Sequence, residues 1–332
     1  MLKQLTLLII LSVFLFSCQT TVENKPADNT DTTQEPLSLW NNSEVKTAIV
    51  EFVEKVTDEN SADFVPVKER IAVFDNDGTL WNEKPLYIPV EIELAYIKKV
   101  FPERPEWKDD RIYSAIAEDN LAVLKDLGTA ELATKLFAAH KGQKEEDYKT
   151  FVYETLSTVQ HRKYNRPLKE VTYSPMVELV GYLQANNFNV YIVTGGEITS
   201  VRTVSEEIYN IPKENVVGSS VYCKYISDDS GIYIEREAEI SSNNDKQVKP
   251  VNIELHIGRK PIFAAGNSDG DYQMMEYTLS GDGPSMAVLV HHDDEVREYT
   301  YMHGTENAIK DAAEKGWFVV SMKNDFKEIF AE

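Results

Sequence analysis

Residues 70–80 read RIAVFDNDGTL, and the sequence changes character abruptly at Phe74. Ile71, Ala72, Val73 and Phe74 form a short apolar run with no polar alternation, the pattern of a strand buried on both faces, which breaks off into the polar turn DNDGTL. The same arrangement recurs downstream. Residues 188–193 run into TGGE, residues 261–265 into GNSDGD, and residues 286–290 into HHDD. In an open parallel sheet the carboxyl ends of the strands share one edge, where ligands bind, so clusters far apart in sequence can meet there. Any one cluster alone reads as an ordinary Gly/Asn/Asp turn. The three clusters in DNDGTL, TGGE and GNSDGD, with Lys249 between the second and third, point to a shared site.

The segments around these runs complete an α/β pattern. Val45, Ile49, Phe52, Val53 and Val56 fall at helical spacing, and residues 175–185 and 198–209 read as further helices. Residues 317–322 read as a last short strand. Val221, Tyr222, Tyr225, Ile232, Tyr233 and Ile234 flank SDDSG, which predicts a β-hairpin turning at residues 228–231. Cys223 lies in that apolar hairpin and reads as an inert core thiol. From residue 82 to 170 the apolar positions keep helical spacing without strand alternation, among them Ile92, Leu94, Ile112, Ile116, Leu121, Leu124, Leu127, Leu136, Phe151 and Leu156. The expected fold is a doubly wound, Rossmann-like, mainly parallel α/β sheet (residues 37–81 and 171–332) with a helical subdomain inserted at 82–170.

Composition narrows the function. The 332 residues carry 34 Lys and Arg against 55 Asp and Glu, a net charge of −21, and 42% are hydrophobic. Such a chain folds, but lacks the basic stripe that neutralises nucleic-acid phosphates. Two cysteines supply neither a disulfide framework nor a cysteine zinc site. At the amino end Lys3 precedes a twelve-residue apolar run from Leu5 to Phe16, too short to span a bilayer comfortably. The following LFSC resembles the lipobox of bacterial lipoprotein signals, which implies cleavage after residue 17 and a lipid on Cys18. Residues 18–36 are polar and read as a flexible tether. The expected address is extracytoplasmic, on a bacterial membrane, periplasmic or surface-facing.

DNDGTL, Thr194–Gly195, Lys249–Pro250 and GNSDGD, in this order, resemble the four motifs of the haloacid dehalogenase superfamily, in its helical-cap, phosphoserine-phosphatase-like branch. The resemblance covers the chain from about Leu37 onward. It implies that Asp75 attacks phosphorus, because a carboxylate nucleophile divides a difficult hydrolysis into two easier steps. Asp77 then protonates the leaving alkoxide and later accepts a proton from water. Gly78 and Thr79 are expected to turn backbone N–H groups toward the phosphate. Thr194 is expected to hydrogen-bond a phosphoryl oxygen, with Gly195 and Gly196 leading into a helix N-terminus that favours the same charge. Lys249 offsets negative charge, with Lys246 and Lys260 as nearby alternatives. A magnesium ion is implied, held by the Asp75 carboxylate, the Asp77 main-chain carbonyl and a side-chain oxygen of the fourth motif, from Asn267, Asp271 or Asp269. Asn267 stands where the superfamily commonly has an aspartate, which predicts weaker metal binding.

Around this set Trp81, Asn82 and Glu83 are possible pocket-lining residues, and His291 and His292 possible substrate contacts. A helical cap implies a small substrate, so the expected function is hydrolysis of a small phosphorylated metabolite, with no nucleic acid and no obligate protein partner. Rival readings are inorganic pyrophosphatase, phosphotransferase, and a non-catalytic surface-binding lipoprotein. The paired Asp75 and Asp77 argue against that last reading and against a dehalogenase, which has no use for Asp77 as acid/base.

Overall fold

A computed structural model of the chain describes residues 35–120, 122 and 129–331. The apolar leader, Cys18 and the tether up to residue 34 lie outside the described residues, as do Leu121, Leu124 and Leu127 of the insert. The first helix, α1 (Glu44–Thr57), starts where the Ser43 hydroxyl accepts from the Lys46 N–H, and it buries Ile49, Val53 and Val56. Strand β1 (Ile71–Phe74) follows, buried at every position. Among the described residues the α-helices that then follow are α2 (Ile88–Val100), α3 (Arg111–Ala117), α4 (Thr129–Ala138) and α5 (Glu145–Thr158). The α/β alternation resumes with α6 (Ser174–Ala185) and β2 (Asn189–Glu197), then the short helices α7 (Ile198–Arg202) and α8 (Ser205–Tyr209). Strands β3 (Val216–Asp228) and β4 (Gly231–Ser242) form a long hairpin. After them come α9 (Val248–His256), β5 (Phe263–Gly266), α10 (Tyr272–Leu279), β6 (Met286–His291), α11 (Glu306–Lys315), β7 (Phe318–Ser321) and α12 (Met322–Asp325).

The seven strands of the described residues make one sheet in the order β4-β3-β2-β1-β5-β6-β7, parallel except at the β3–β4 pair. Period-two alternation divides the apolar strand residues between two layers. Ala72, Phe74, Ile192, Phe263 and Val288 face α1 and α6, while Ile71, Val73, Ala264, Ala287 and Leu289 face α9, α10 and α11. Both faces are therefore covered, as a parallel sheet requires. The inserted helices gather a third apolar cluster of their own, with Trp81, Ile88, Ile92, Ile97, Tyr148 and Leu156 at its centre.

Three local expectations need correction. TGGE does not end a strand: β2 runs through it to Glu197, with a register shift between Val193 and Glu197 that accommodates the glycines. The single helix expected at 198–209 is broken into α7 and α8, and the chain between them turns at Thr203 and Val204. Cys223 is exposed, within a stretch of β3 from Tyr222 to Tyr225 that is exposed at every position, although it lies opposite the buried Arg236 in the hairpin ladder. The hairpin is nonetheless tied to the insert. Gly142 N–H donates to the Arg236 carbonyl, Arg236 N–H donates to the Gln143 carbonyl, and the buried Arg236 guanidinium pairs with Glu145 on α5 and Glu197 at the end of β2.

Candidate active site

The sheet order sets β2, β1 and β5 side by side, so residues following their carboxyl ends converge. Asp75 continues directly from β1, its N–H donating to the Ala265 carbonyl of β5 at 2.9 Å. Lys249, in the first turn of α9, projects across the strand ends. Its Nζ lies 2.6 Å from Asp75 Oδ1, 2.6 Å from Asp271 Oδ1 and 2.8 Å from the Val193 carbonyl. Lys249 is the lysine of the site. Lys260 instead donates to Ser280, and Lys246 is exposed.

The electrostatics follow from burial. Burial drives the Asp75 carboxyl well above the usual carboxylate range, with Asp271 adding repulsion and Lys249 opposing it. Asp77 is raised from 3.8 to about 7, first by burial and also by Glu83, against the opposing hydrogen bond from Trp81. Burial pulls the Lys249 ammonium down, but Asp271 and Asp75 outweigh it and hold the group above its ordinary value. Lys249 therefore remains a cation beside the carboxylates. A carboxyl near neutrality two residues after the nucleophile can give and take protons at physiological pH.

The turn after Asp75 is closed internally. The Asn76 carbonyl accepts from the N–H groups of Thr79, Leu80 and Trp81, and Gly78 N–H donates to the Trp81 carbonyl. The N–H groups of Gly78 and Thr79 are thereby consumed within the turn and do not form the expected phosphate nest. Gly78 has φ +76°, and a Cβ there would lie 2.0 Å from Asn267 Nδ2, so only glycine fits. Gly196 marks the opposite wall, because a Cβ on it would meet Thr194 Oγ1 at 3.1 Å, Pro89 of α2 at 3.2 Å and Asp77 Oδ2 at 3.3 Å. Thr194, Asp77 and the insert thus border one space. Thr194 Oγ1 accepts from Gly196 N–H, which leaves its hydroxyl proton to donate elsewhere. The exposed Gly195 leads not to a vacant helix N-terminus but to α7, whose first turn is already capped by the Glu197 carboxylate.

The fourth motif divides its acids differently from the sequence expectation. Asp271 has both oxygens engaged: Oδ1 by Lys249, and Oδ2 by the N–H groups of Asn267 and Ser268 and the Ser268 hydroxyl. It organises the loop and holds the lysine rather than presenting a free oxygen to a metal. Asp269 accepts from Ala308 N–H and the Asn307 amide, capping α11, which removes it as a substitute ligand. Asn267 remains at the site, buried between Thr79 and Gly78, with its Nδ2 lacking a hydrogen-bond partner.

Several flanking residues have structural roles. Trp81, fully buried, donates its Nε1–H to Asp77 Oδ1 at 2.9 Å. Asn82, equally buried, binds His161, Lys84 N–H and Glu298, so it is no pocket wall. Glu83 is close to both Gly78 and Asp77 and pairs with Lys84. His292 is 2% exposed and contacts the Gly78 carbonyl and Glu298, so it cannot touch substrate directly. His291 closes β6 at the carboxyl edge of the sheet, in register with Ser321 of β7. Sequence reasoning missed Tyr87. Its phenol is held above the ordinary range first by Glu83, then by burial and by Asp77, Asp75 and Asp245, which places it in the field of the acids. The aromatic following the nucleophile turn was its only sequence signal.

A family model for haloacid dehalogenase-like hydrolases matches residues 72–276. No curated protein matches the chain. Among solved structures, a conserved protein of unknown function from Anaerococcus prevotii is similar at 16% identity and a TM-score of 0.55, covering 83% of this chain and 91% of its own. A phosphoserine phosphohydrolase-like protein from Francisella tularensis is 18% identical, with a TM-score of 0.41 and coverage of 76% and 94%. A probable phosphoserine phosphatase from Vibrio cholerae is 15% identical, with a TM-score of 0.39 and coverage of 76% and 67%. The first supports the α/β fold described above. With Asp75, Lys249 and the acidic loop from Gly266 to Asp271 all inside the matched span, the chain belongs to the haloacid dehalogenase-like hydrolase family.

Proposed function

We propose that the protein is a magnesium-dependent phosphomonoesterase that hydrolyses a small organic phosphate through a phosphoryl group carried on Asp75. The observation that carries this reading is the Asp75–Lys249–Asp271 chain beside a second buried carboxyl, Asp77, raised to about 7. Asp75 attacks phosphorus and forms an acyl phosphate. Asp77, protonated, donates to the departing alkoxide oxygen, and as a carboxylate then takes a proton from the water that attacks the same phosphorus, which restores Asp75. Lys249 keeps Asp75 oriented and offsets its charge, and the Thr194 hydroxyl donates to a phosphoryl oxygen.

The residues fit a magnesium ion. The donors that face this place are oxygens: the Asp75 carboxylate, the Asp77 carbonyl and the side-chain oxygen of the buried Asn267, which accepts a long hydrogen bond of 3.3 Å from the Thr79 hydroxyl. Asp75, the Asp77 carbonyl and Asn267 would hold it, and a bound cation supplies neutralisation of the charge between carboxylate and phosphate. The insert, which reaches the site at Pro89, acts as a lid that limits substrate size. The same reading places the body outside the cytoplasm, tethered by lipid at Cys18, with metabolite scavenging as its role. Mass analysis of membrane-extracted protein checks that address: an unmodified cysteine at 18 refutes it.

Phosphate release by residues 37–332 from a panel of small phosphate esters tests the activity, with magnesium, after chelation, and with Asp75→Asn. Turnover that needs magnesium and Asp75 is expected. Turnover retained in Asp75→Asn contradicts the mechanism, and no turnover with any ester or with pyrophosphate favours a binding role.

A further inference from the structure

We propose that His292, lying beneath the nucleophile turn, is a positioning residue that sets the alignment of Asp77 by holding the Gly78 carbonyl. The proposal rests on the roles assigned above to Asp75 and Asp77. His292 Nε2 lies 2.8 Å from the Gly78 oxygen, across 214 residues of chain. A carbonyl only accepts, so this nitrogen carries the hydrogen. The other ring nitrogen faces Glu298 Oε2 at 3.2 Å, and Tyr301 stacks on the ring with centroids 4.5 Å apart. Glu298 itself is fully buried and also accepts from Asn82, Tyr173 and Tyr299 N–H. The imidazole is thus fixed in plane and in rotation before it reaches the turn.

The consequence falls on one peptide unit. The amide joining Gly78 and Thr79 is planar, its N–H is tied to the Asn76 carbonyl, and its oxygen to His292. Gripped on both edges, it cannot rotate, and the Asp77 side chain just before it is correspondingly restrained. Gly78 needs such restraint more than other residues, because glycine at φ +76° has wide conformational freedom. Stability alone is a weak reason for this construction: a buried polar cluster can often be replaced by apolar packing at little cost. Geometric control at the catalytic turn is what the cluster adds.

The test uses His292→Leu, His292→Gln and, as a control, Asp75→Asn in the full body, with circular dichroism and thermal melting to establish folding. Glutamine can present its amide N–H near the position of Nε2; leucine cannot. For an alkyl phosphate, His292→Leu is expected to lower kcat by about 10- to 100-fold with KM changed less than about threefold, and His292→Gln to recover most of kcat. A folded His292→Leu with kcat near wild type, or a folded His292→Gln as impaired as His292→Leu, overturns the proposal. Nitrogen-15 NMR of the wild-type ring supplies a reading independent of the leucine variant. A proton on Nε2, assigned by its loss in His292→Gln, is expected; a ring protonated on Nδ1 alone could not donate to Gly78 and overturns the proposal. Turnover surviving in Asp75→Asn would instead refute the underlying site assignment, whatever His292 does.

Discussion

Replacing Trp81 by phenylalanine keeps a large buried aromatic ring and removes the single N–H that donates to Asp77 Oδ1 at 2.9 Å. That hydrogen bond favours the ionised carboxylate and opposes the burial that lifts Asp77 to about 7. A hydrogen bond to a charged group contributes about 1.5–3 kcal/mol, and about 1.4 kcal/mol corresponds to one pH unit, so its loss raises Asp77 by about one to two units. The acid form of Asp77 protonates the leaving group, so kcat/KM for an ester with a poor leaving group falls as pH rises through this pKa. In Trp81→Phe that descending limb moves to higher pH by about one to two units. A bound cation shifts the limb in both proteins, so the difference between them is the quantity to measure, at saturating magnesium. The assay is a pH profile of phosphate release from an alkyl phosphate from pH 5 to about 10. A limb that stays in place, or moves to lower pH, refutes the assignment of Asp77 and of its hydrogen bond.

Other consequences follow from the same contacts. Because Asp77 is raised from 3.8 to about 7, the folded state binds its proton more tightly than the unfolded state, and stability falls as pH rises through that window. Asp77→Asn removes this dependence, and denaturant melts should show the variant gaining on wild type between pH 4 and 8, by at most about 4 kcal/mol; an unchanged difference across that range contradicts the burial argument. Lys249→Met leaves Asp75 and Asp271 buried without their shared cation, which should lower unfolding free energy by about 3–5 kcal/mol and abolish turnover. A variant as stable and active as wild type would deny the lysine its place. Asp269→Ala removes the cap of α11, so a loss of about 1 kcal/mol with unchanged magnesium dependence is expected; an altered magnesium requirement would restore Asp269 as a ligand.

The parts of this site that sequence could reveal are those written into contiguous residues. The apolar run of β1 ending at Asp75 shows itself because a strand buried on both faces has no polar alternation, and β5 before GNSDGD repeats the pattern. Lys249 emerges from its order between two such strand ends. What stayed hidden depends on where a side chain points after the chain has folded. Nothing local distinguishes Asp269, which caps α11, from Asp271, which holds Lys249, though two residues separate them. The bond from Trp81 to Asp77 and the reach of His292 to Gly78 are set by a tight turn and a long-range crossing, neither of which leaves a periodic signal. TGGE reads as a strand terminator because glycines punctuate most turns, yet here a register shift carries them inside β2. Cys223 misleads for the opposite reason: apolar neighbours suggest a core, yet the stretch of β3 from Tyr222 to Tyr225 is exposed at every position.

The central claim is that Asp75 becomes covalently phosphorylated, and trapping that species tests it most directly. Protein mixed with a phosphate ester labelled at phosphorus and quenched in acid within the first turnover should retain label. The label should be released by hydroxylamine, map to the peptide containing Asp75, accumulate further in Asp77→Asn, and be absent from Asp75→Asn. Turnover with no protein-bound label in either wild type or Asp77→Asn, or label carried on any other residue, would contradict the account.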